Sequence, residues 1–453
     1  MNTSHLVMAM SMLAANASAA GATRNGDLDP NFADGGIRML DTTIISAFQP
    51  AFERLPDGTL VVGARMMVPE GGSRYTVARL DSNGHLQTGF GHGGLARFDL
   101  GPAVSEDELA TMKVAPDGRI VAYGMAYTGR FELAIARLEA DGTPDVAFGT
   151  DGLSLLYSGA YPEPGSVAVL DNRKILVTWS QLGPDGDTLM AARLHSDGEL
   201  DMSFGQAGVA TVEFGDAAFH YFERAKGIAI DSHGRILVGA EIQQAGGVNF
   251  GVARLLADGQ QDHTFANKGY QLIDFDLGPT SVARMYGVTP GVEDSITLMG
   301  GVSGSPAGRI ALVHLQADGW PLPGFGDGLG RLEIPVFAPD AYMSTVAAMG
   351  GQWHNGHLLL AGFGYVHKNG ERLPSTLLAQ LDARGNLDRA FGVDGQRVLA
   401  VETERGPIHP TGVLVAGGRA LLPSATSMYD PSGAVGVQAI ILDVLFADGH
   451  ETD

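Results

Sequence analysis

Short aliphatic runs alternate with turn sequences along the whole chain. Thr59-Leu60-Val61-Val62-Gly63 and Tyr75-Thr76-Val77-Ala78-Arg79-Leu80 form the first pair; residues 119–124 with 131–138 and residues 235–239 with 250–255 are later equivalents. Runs this short, aliphatic and bounded by turn dipeptides predict strands and not helices. Pro56-Asp57-Gly58, Pro116-Asp117-Gly118 and Asn355-Gly356 are tight-turn sequences that lead from a preceding strand into the first run of a unit.

One spacing organises these runs. A glycine followed six positions later by phenylalanine occurs seven times, at Gly26/Phe32, Gly84/Phe90, Gly142/Phe148, Gly198/Phe204, Gly259/Phe265, Gly319/Phe325 and Gly385/Phe391. Asn or Asp precedes the glycine in six copies, and a second glycine follows the phenylalanine by four in six. The Phe-to-Phe intervals are 58, 58, 56, 61, 60 and 66 residues. An entry strand (111–115 in the second unit), the two runs and the segment around the Phe give four strands per unit, which is the content of a propeller blade.

The chain ends predict how the units are joined. Residues 439–449 repeat the first part of a unit and stop at its turn glycine, whereas residues 25–32 begin there and supply the missing part. The expectation is therefore an all-β, seven-bladed β-propeller over residues 25–450, with four antiparallel strands per blade. Its seventh blade is split between 25–41 and 406–450, and the amino-terminal outer strand closes it.

The pattern Ala192-Arg193-Leu194, Asp197-Gly198, Leu200-Asp201, Phe204-Gly205, repeated in register, resembles the delta-60 repeat of bacterial exported and surface proteins. The resemblance implies a β-propeller in an exported protein and carries no established reaction, so it transfers no catalytic residues. The fifth blade's copy departs most, with Pro321-Leu322-Pro323-Gly324 before Phe325.

The repeated residues have structural duties. Asn/Asp-Gly supplies the positive φ angles of a turn, the Asp three before each Phe caps a short turn, and the later glycine takes a left-handed position. Phe32, Phe90, Phe148, Phe204, Phe265, Phe325 and Phe391 are expected to plug the spaces between neighbouring blades. Arg79, Arg137, Arg193 and Arg254 share one position, and Asp29, Asp145, Asp201, Asp262 and Asp388 another eight residues on. A within-blade ion pair is the expected role. Calcium is the alternative for these carboxylates, although no Asp-x-Asp-x-Asp-Gly loop occurs. The fifth blade has lost both members, holding His314 and Leu322 instead.

Composition narrows the functional classes. Lys+Arg 29 against Asp+Glu 51 gives a formal charge of −22, which opposes attraction to nucleic acid. With no cysteine, disulfides, thiolate metal sites and a catalytic thiol are excluded together. Residues 6–15 form an apolar run and Ala17-Ser18-Ala19 a small-residue cleavage pattern, so residues 1–19 read as a signal peptide despite lacking Lys or Arg before the run. No later stretch approaches the roughly 20 apolar residues of a membrane span. The expected product is an exported monomer, periplasmic or secreted.

Familiar catalytic motifs are absent: there is no phosphate-binding Gly-x-x-x-x-Gly-Lys, no Gly-x-Ser-x-Gly and no His-Glu-x-x-His. Gly89-Phe90-Gly91-His92-Gly93-Gly94 matches a dinucleotide fingerprint but belongs to the repeated turn. His354 and His357, flanking Asn355-Gly356, are expected to be solvated. Function in a repetitive body resides where the copies differ, and the segments entering the first strand of each unit diverge most. They nominate Tyr161, Glu163, His220, Tyr221, Glu223, Arg284, Tyr286, Tyr342 and His409 around a channel mouth. Two readings follow. One is a binding module for a peptide, glycan or partner protein, with neither metal nor cofactor. The other is a hydrolase or lyase in which Glu163, Glu223, His220 or His409 acts as acid or base and Arg284 stabilises negative charge.

Overall fold

A computed structural model describes residues 26–442 apart from 41–43, 68–72, 101–107, 157–158, 160, 184–185, 216–221, 245–246, 277–281, 304–307, 337–341, 369–370, 404–405, 417 and 427–433. The signal-like residues 1–19 and the last part of the repeat, 443–450, therefore lie outside the described residues. Among the described residues no helix is long and apolar enough to cross a membrane.

The fold is all-β and β-propeller-like, built from successive four-stranded antiparallel meanders. The first comprises Ile44–Arg54, Leu60–Met67, Ser73–Leu80 and Leu95–Phe98, paired in chain order. Four-stranded meanders follow over 108–156, 161–212, 222–273, 282–335 and 342–399; the fourth and fifth are joined by one parallel bridge, Val248↔Val282. A last group holds Val401–Thr403, Gly406–Pro410, Leu414–Ala416, Arg419–Ala425 and Val435–Ile441. The strand Ile37–Met39 pairs antiparallel with Val435–Ile441, Arg38 facing Val437, so an amino-terminal strand completes the carboxy-terminal sheet.

The position of the fourth strand corrects the sequence reading. The Phe does not lie in it but in the turn before it: Phe90 N–H donates to Gln87 O, and the strand Leu95–Phe98 begins only after Gly94. Gly94 has φ 93°, which halts the extended chain and redirects it. The same order holds in the fifth meander, where Arg331–Pro335 pairs with Arg309–Leu315 despite the two prolines.

The seams between meanders carry much of the core. Phe32, Phe148, Phe204, Phe265 and Phe391 are 0% exposed, and Phe90 and Phe325 nearly so. Each ring lies under the next unit, as at Gly84, where a Cβ would stand 2.7 Å from the Phe32 ring. Glycine is therefore required at that turn by close approach as well as by its φ of 84°. The arginines complete the seams. Arg137, Arg193 and Arg254 Nε lie 2.7, 2.6 and 2.8 Å from Asp145, Asp201 and Asp262 Oδ2. Their guanidinium carbons sit 4.5, 4.8 and 4.6 Å from the centroids of Phe148, Phe204 and Phe265. Each also donates through Nη1 to a carbonyl of the next unit, at Ser196, Ala257 and Ala317 respectively. The expected within-blade ion pair thus doubles as a tie between units.

Candidate functional site

The first strand of each meander is irregular in the same place. In Glu108–Val114 the register skips Ala110, in Phe222–Ile230 it skips Lys226, in Val282–Pro290 it skips Tyr286, and in Tyr342–His354 it skips Met349 among others. A β-bulge leaves one residue unpaired and re-aims its side chain. Here all four bulged residues line one cavity of about 480 Å³, to which Glu53, Lys113, Gly165, Ser166, Gln352 and Val413 also contribute. Every meander and the terminal group supply a wall, so the bulges focus the whole body on one opening.

The charged groups at this opening are interlocked. Lys113 is hydrogen-bonded to Glu53. Lys226 Nζ lies 3.7 Å from Glu241 Oε2, and Arg284 Nη1 lies 3.3 Å from the same oxygen. Glu241 is fully buried and its Oε1 accepts the Met285 amide at 2.9 Å. Glu163 is ion-paired with Arg224. Burial lowers the pKa of Lys226; Glu241 acts against that, and Arg224 and Arg284 add to the lowering, leaving the ammonium below its ordinary value. Two of the chain's five lysines face this cavity, within a protein of charge −22.

The sequence-derived candidates separate on this geometry. Tyr286 lines the cavity, Arg284 is half exposed beside it, and Glu163 lies in the same charged cluster. Tyr161 is exposed, its ring edge-on to Phe131 at 4.9 Å. Glu223 is a correction: it is buried, and its Oε2 accepts the Leu189 amide at 3.2 Å, so strand alternation turns it into the seam with the third meander. His220 and Tyr221 lie outside the described residues, and of Tyr342 and His409 only the backbone is described, paired with His367 and Ala425. His357 is half-buried with Nε2 3.7 Å from Asp388, not simply solvated.

Sequence reading missed Lys113, Lys226 and Glu241. The signal was a lysine between two small residues inside a strand, Ala225-Lys226-Gly227, with a glycine that fits a bulge. Among the described residues one group, Asp231, His233 and Asp294, brings three potential metal ligands within 4.8 Å of one another. Its oxygens are already engaged: Asp231 by Arg235 at 2.6 Å, Asp294 by the Ser232 amide at 2.8 Å and by His233 Nδ1 at 2.7 Å. It locks two hairpin turns together. Of the motif aspartates, Asp29, Asp145, Asp201 and Asp262 face arginines, and Asp388 faces Gln380.

Comparison with known proteins agrees with this architecture. A family described as "Domain of unknown function (DUF5122) beta-propeller" matches residues 55–90, 115–148 and 233–265, each segment ending at or next to a motif Phe. No curated protein matches the chain. Among solved structures, the polysaccharide lyase Uly1 is 11% identical with TM-score 0.48, covering 94% of each chain. The β-propeller domain of the Trilobed protease from Pyrococcus furiosus is 10% identical with TM-score 0.41, covering 88% of this chain and 99% of that one. A protein of unknown function from Dyadobacter fermentans is 13% identical with TM-score 0.40, covering 76% and 98%. The sheet topology and the family match together make this a β-propeller-like protein.

Proposed function

We propose that the chain closes into a seven-bladed β-propeller and works as an exported, monomeric binding module that holds a carboxylate-bearing peptide, glycan or partner protein at the cavity mouth. Closure is supported by the pairing of Ile37–Met39 with Val435–Ile441 and by the first meander's leading strand lying against Arg419–Ala425. The observation that carries the binding reading is the bulged first strands, which bring Lys226 and Tyr286 into one shared cavity beside Arg224 and Arg284. Lys113 and Lys226 line it with Glu53, and Arg224 and Arg284 stand near Lys226 with their partners Glu163 and Glu241. An incoming carboxylate finds donors already oriented, and in a half-buried cleft such contacts are stronger than in water.

The acid–base alternative has less support, because Glu163 and Glu241 are ion-paired and Glu223 is buried against a backbone amide. A peptide and glycan array run beside a hydrolase and lyase panel tests the choice. Wild type is expected to bind acidic members and Lys226→Ala/Arg284→Ala to lose them, with no turnover by either. Turnover that survives the double substitution overturns the reading.

A further inference from the structure

The fifth meander's departure from the motif has opened a second cavity, independent of the first. In the second, third and fourth meanders the Arg–Asp pair fills the outer end of the seam. Here His314 and Leu322 occupy those positions, and a cavity of about 500 Å³ lies between the fifth and sixth meanders, walled by Val292, Leu322 and Trp353 with Glu293 and Asp318 also lining it. That volume lies within the range of small-molecule sites.

His314 is the buried polar group of this cavity. It is 5% exposed, and its ring lies 5.1 Å from Phe325 and 5.4 Å from Trp353 by centroids. Trp353 Nε1 donates to Thr297 Oγ1 at 2.9 Å, and Thr297 Oγ1 lies 2.8 Å from His314 Nδ1. Tryptophan can only donate, so the buried hydroxyl must place its own proton elsewhere. Among the described residues its one acceptor is His314 Nδ1, which puts the imidazole proton on Nε2. Burial lowers the His314 pKa to about 4, so the ring is neutral at pH 7. Nε2 has no hydrogen bond to a described residue, which leaves an N–H donor for a ligand in the cavity the ring lines.

The lining selects a ligand class. Anions are repelled by Glu293 and Asp318. A hydrocarbon, or an organic cation without an acceptor, leaves the buried His314 N–H unmatched. A pyranose has an apolar C–H face for Leu322 and Trp353, and hydroxyls that can both accept from His314 and donate to the carboxylates.

We infer that the cavity opened by His314 and Leu322 is a binding site for one neutral sugar ring of a glycan. Titration of methyl glucoside, galactoside and mannoside, followed by tryptophan fluorescence, tests it, with benzylammonium and benzoate as comparators. At least one glycoside is expected to give a saturable change. His314→Arg/Leu322→Asp, which installs the pair found in the other seams, is expected to weaken that binding more than about tenfold by filling the cavity, and Glu293→Gln to weaken it about tenfold through one lost charge-assisted hydrogen bond. The inference is overturned if no glycoside saturates, if only benzylammonium or benzoate does, or if the double variant melts normally and still binds. Should the double variant not fold, unchanged affinity in Glu293→Gln overturns it alone.

Discussion

The seam between the third and fourth meanders and the seam between the fifth and sixth are built on the same repeat, yet one is sealed and the other is hollow. At the first, Arg193 reaches Asp201, stacks on Phe204 and bonds the Ala257 carbonyl of the next unit. At the second, His314 stacks on Phe325 but is too short to cross, and Leu322 offers it no charge. Two side-chain changes convert a structural tie into a cavity. The comparison teaches that this architecture holds together with the full Arg–Asp tie in only its second, third and fourth meanders, and that departures from a repeat are where chemistry finds room.

The sealed seam is the easier to break. Phe204→Ala is expected to cost about 4 kcal/mol, since the ring is fully buried and its site is fixed by two meanders; chemical denaturation measures this, and an unchanged midpoint refutes the plug role. Asp201→Asn is the next largest. Burial alone would raise the Asp201 pKa, but hydrogen bonds from Lys174, Ser203 and Arg193 outweigh it and hold the carboxyl well below the usual range. Disrupting that pair leaves a buried guanidinium without its charge partner, at a cost of about 3 kcal/mol. The wild-type contribution should disappear in acid. Its folded pKa is depressed, so its stabilisation is present above the unfolded value of 3.8 and is lost as pH falls below it.

The hollow seam behaves differently with pH. The His314 pKa is lowered from 6.5 to about 4, so the unfolded chain takes up this proton first. Stability therefore falls as pH drops from 6.5 toward 4, by on the order of 2–3 kcal/mol, and is full above that window. Melting curves of wild type and His314→Gln across these pH values should converge in shape at neutrality and diverge in acid; parallel curves contradict the buried neutral imidazole. Filling this seam with His314→Arg/Leu322→Asp should change stability by less than about 1 kcal/mol, because a buried ion pair roughly balances the apolar packing it replaces. Lys226→Ala should be the smallest of all, within about 0.5 kcal/mol, since Arg284 and the Met285 amide still hold Glu241.

How much was legible follows the range of each interaction. Motif residues act within about ten positions, so the turn glycines, the buried phenylalanines and the Arg137–Asp145 pairing eight residues apart could be read directly. The carbonyl that Arg137 reaches on Ser196 belongs to the next unit and has no signature beyond the repeat itself. Lys226 escaped because a bulge is a property of two paired strands: Ala225 and Gly227 face adjacent residues Ala240 and Gly239, and only that register shows Lys226 to be the extra one. Glu223 turns into the seam by strand alternation, and only its contact with the Leu189 amide of the third meander shows which face that is. The loss of Arg and Asp at His314 and Leu322 was visible in the sequence, whereas the cavity was not, since Trp353 and Thr297 come together there only through packing of two meanders.

Everything depends on the two ends of the chain sharing one sheet. Because the sequence contains no cysteine, Arg38→Cys/Val437→Cys introduces a single thiol pair at positions that face each other across antiparallel strands, within the Cα spacing a disulfide accepts. Mild oxidation is expected to give an intramolecular crosslink in nearly all of the monomer, seen as faster migration on a non-reducing gel. Free thiols, or crosslinks only between molecules, would contradict the proposed closure of the ring.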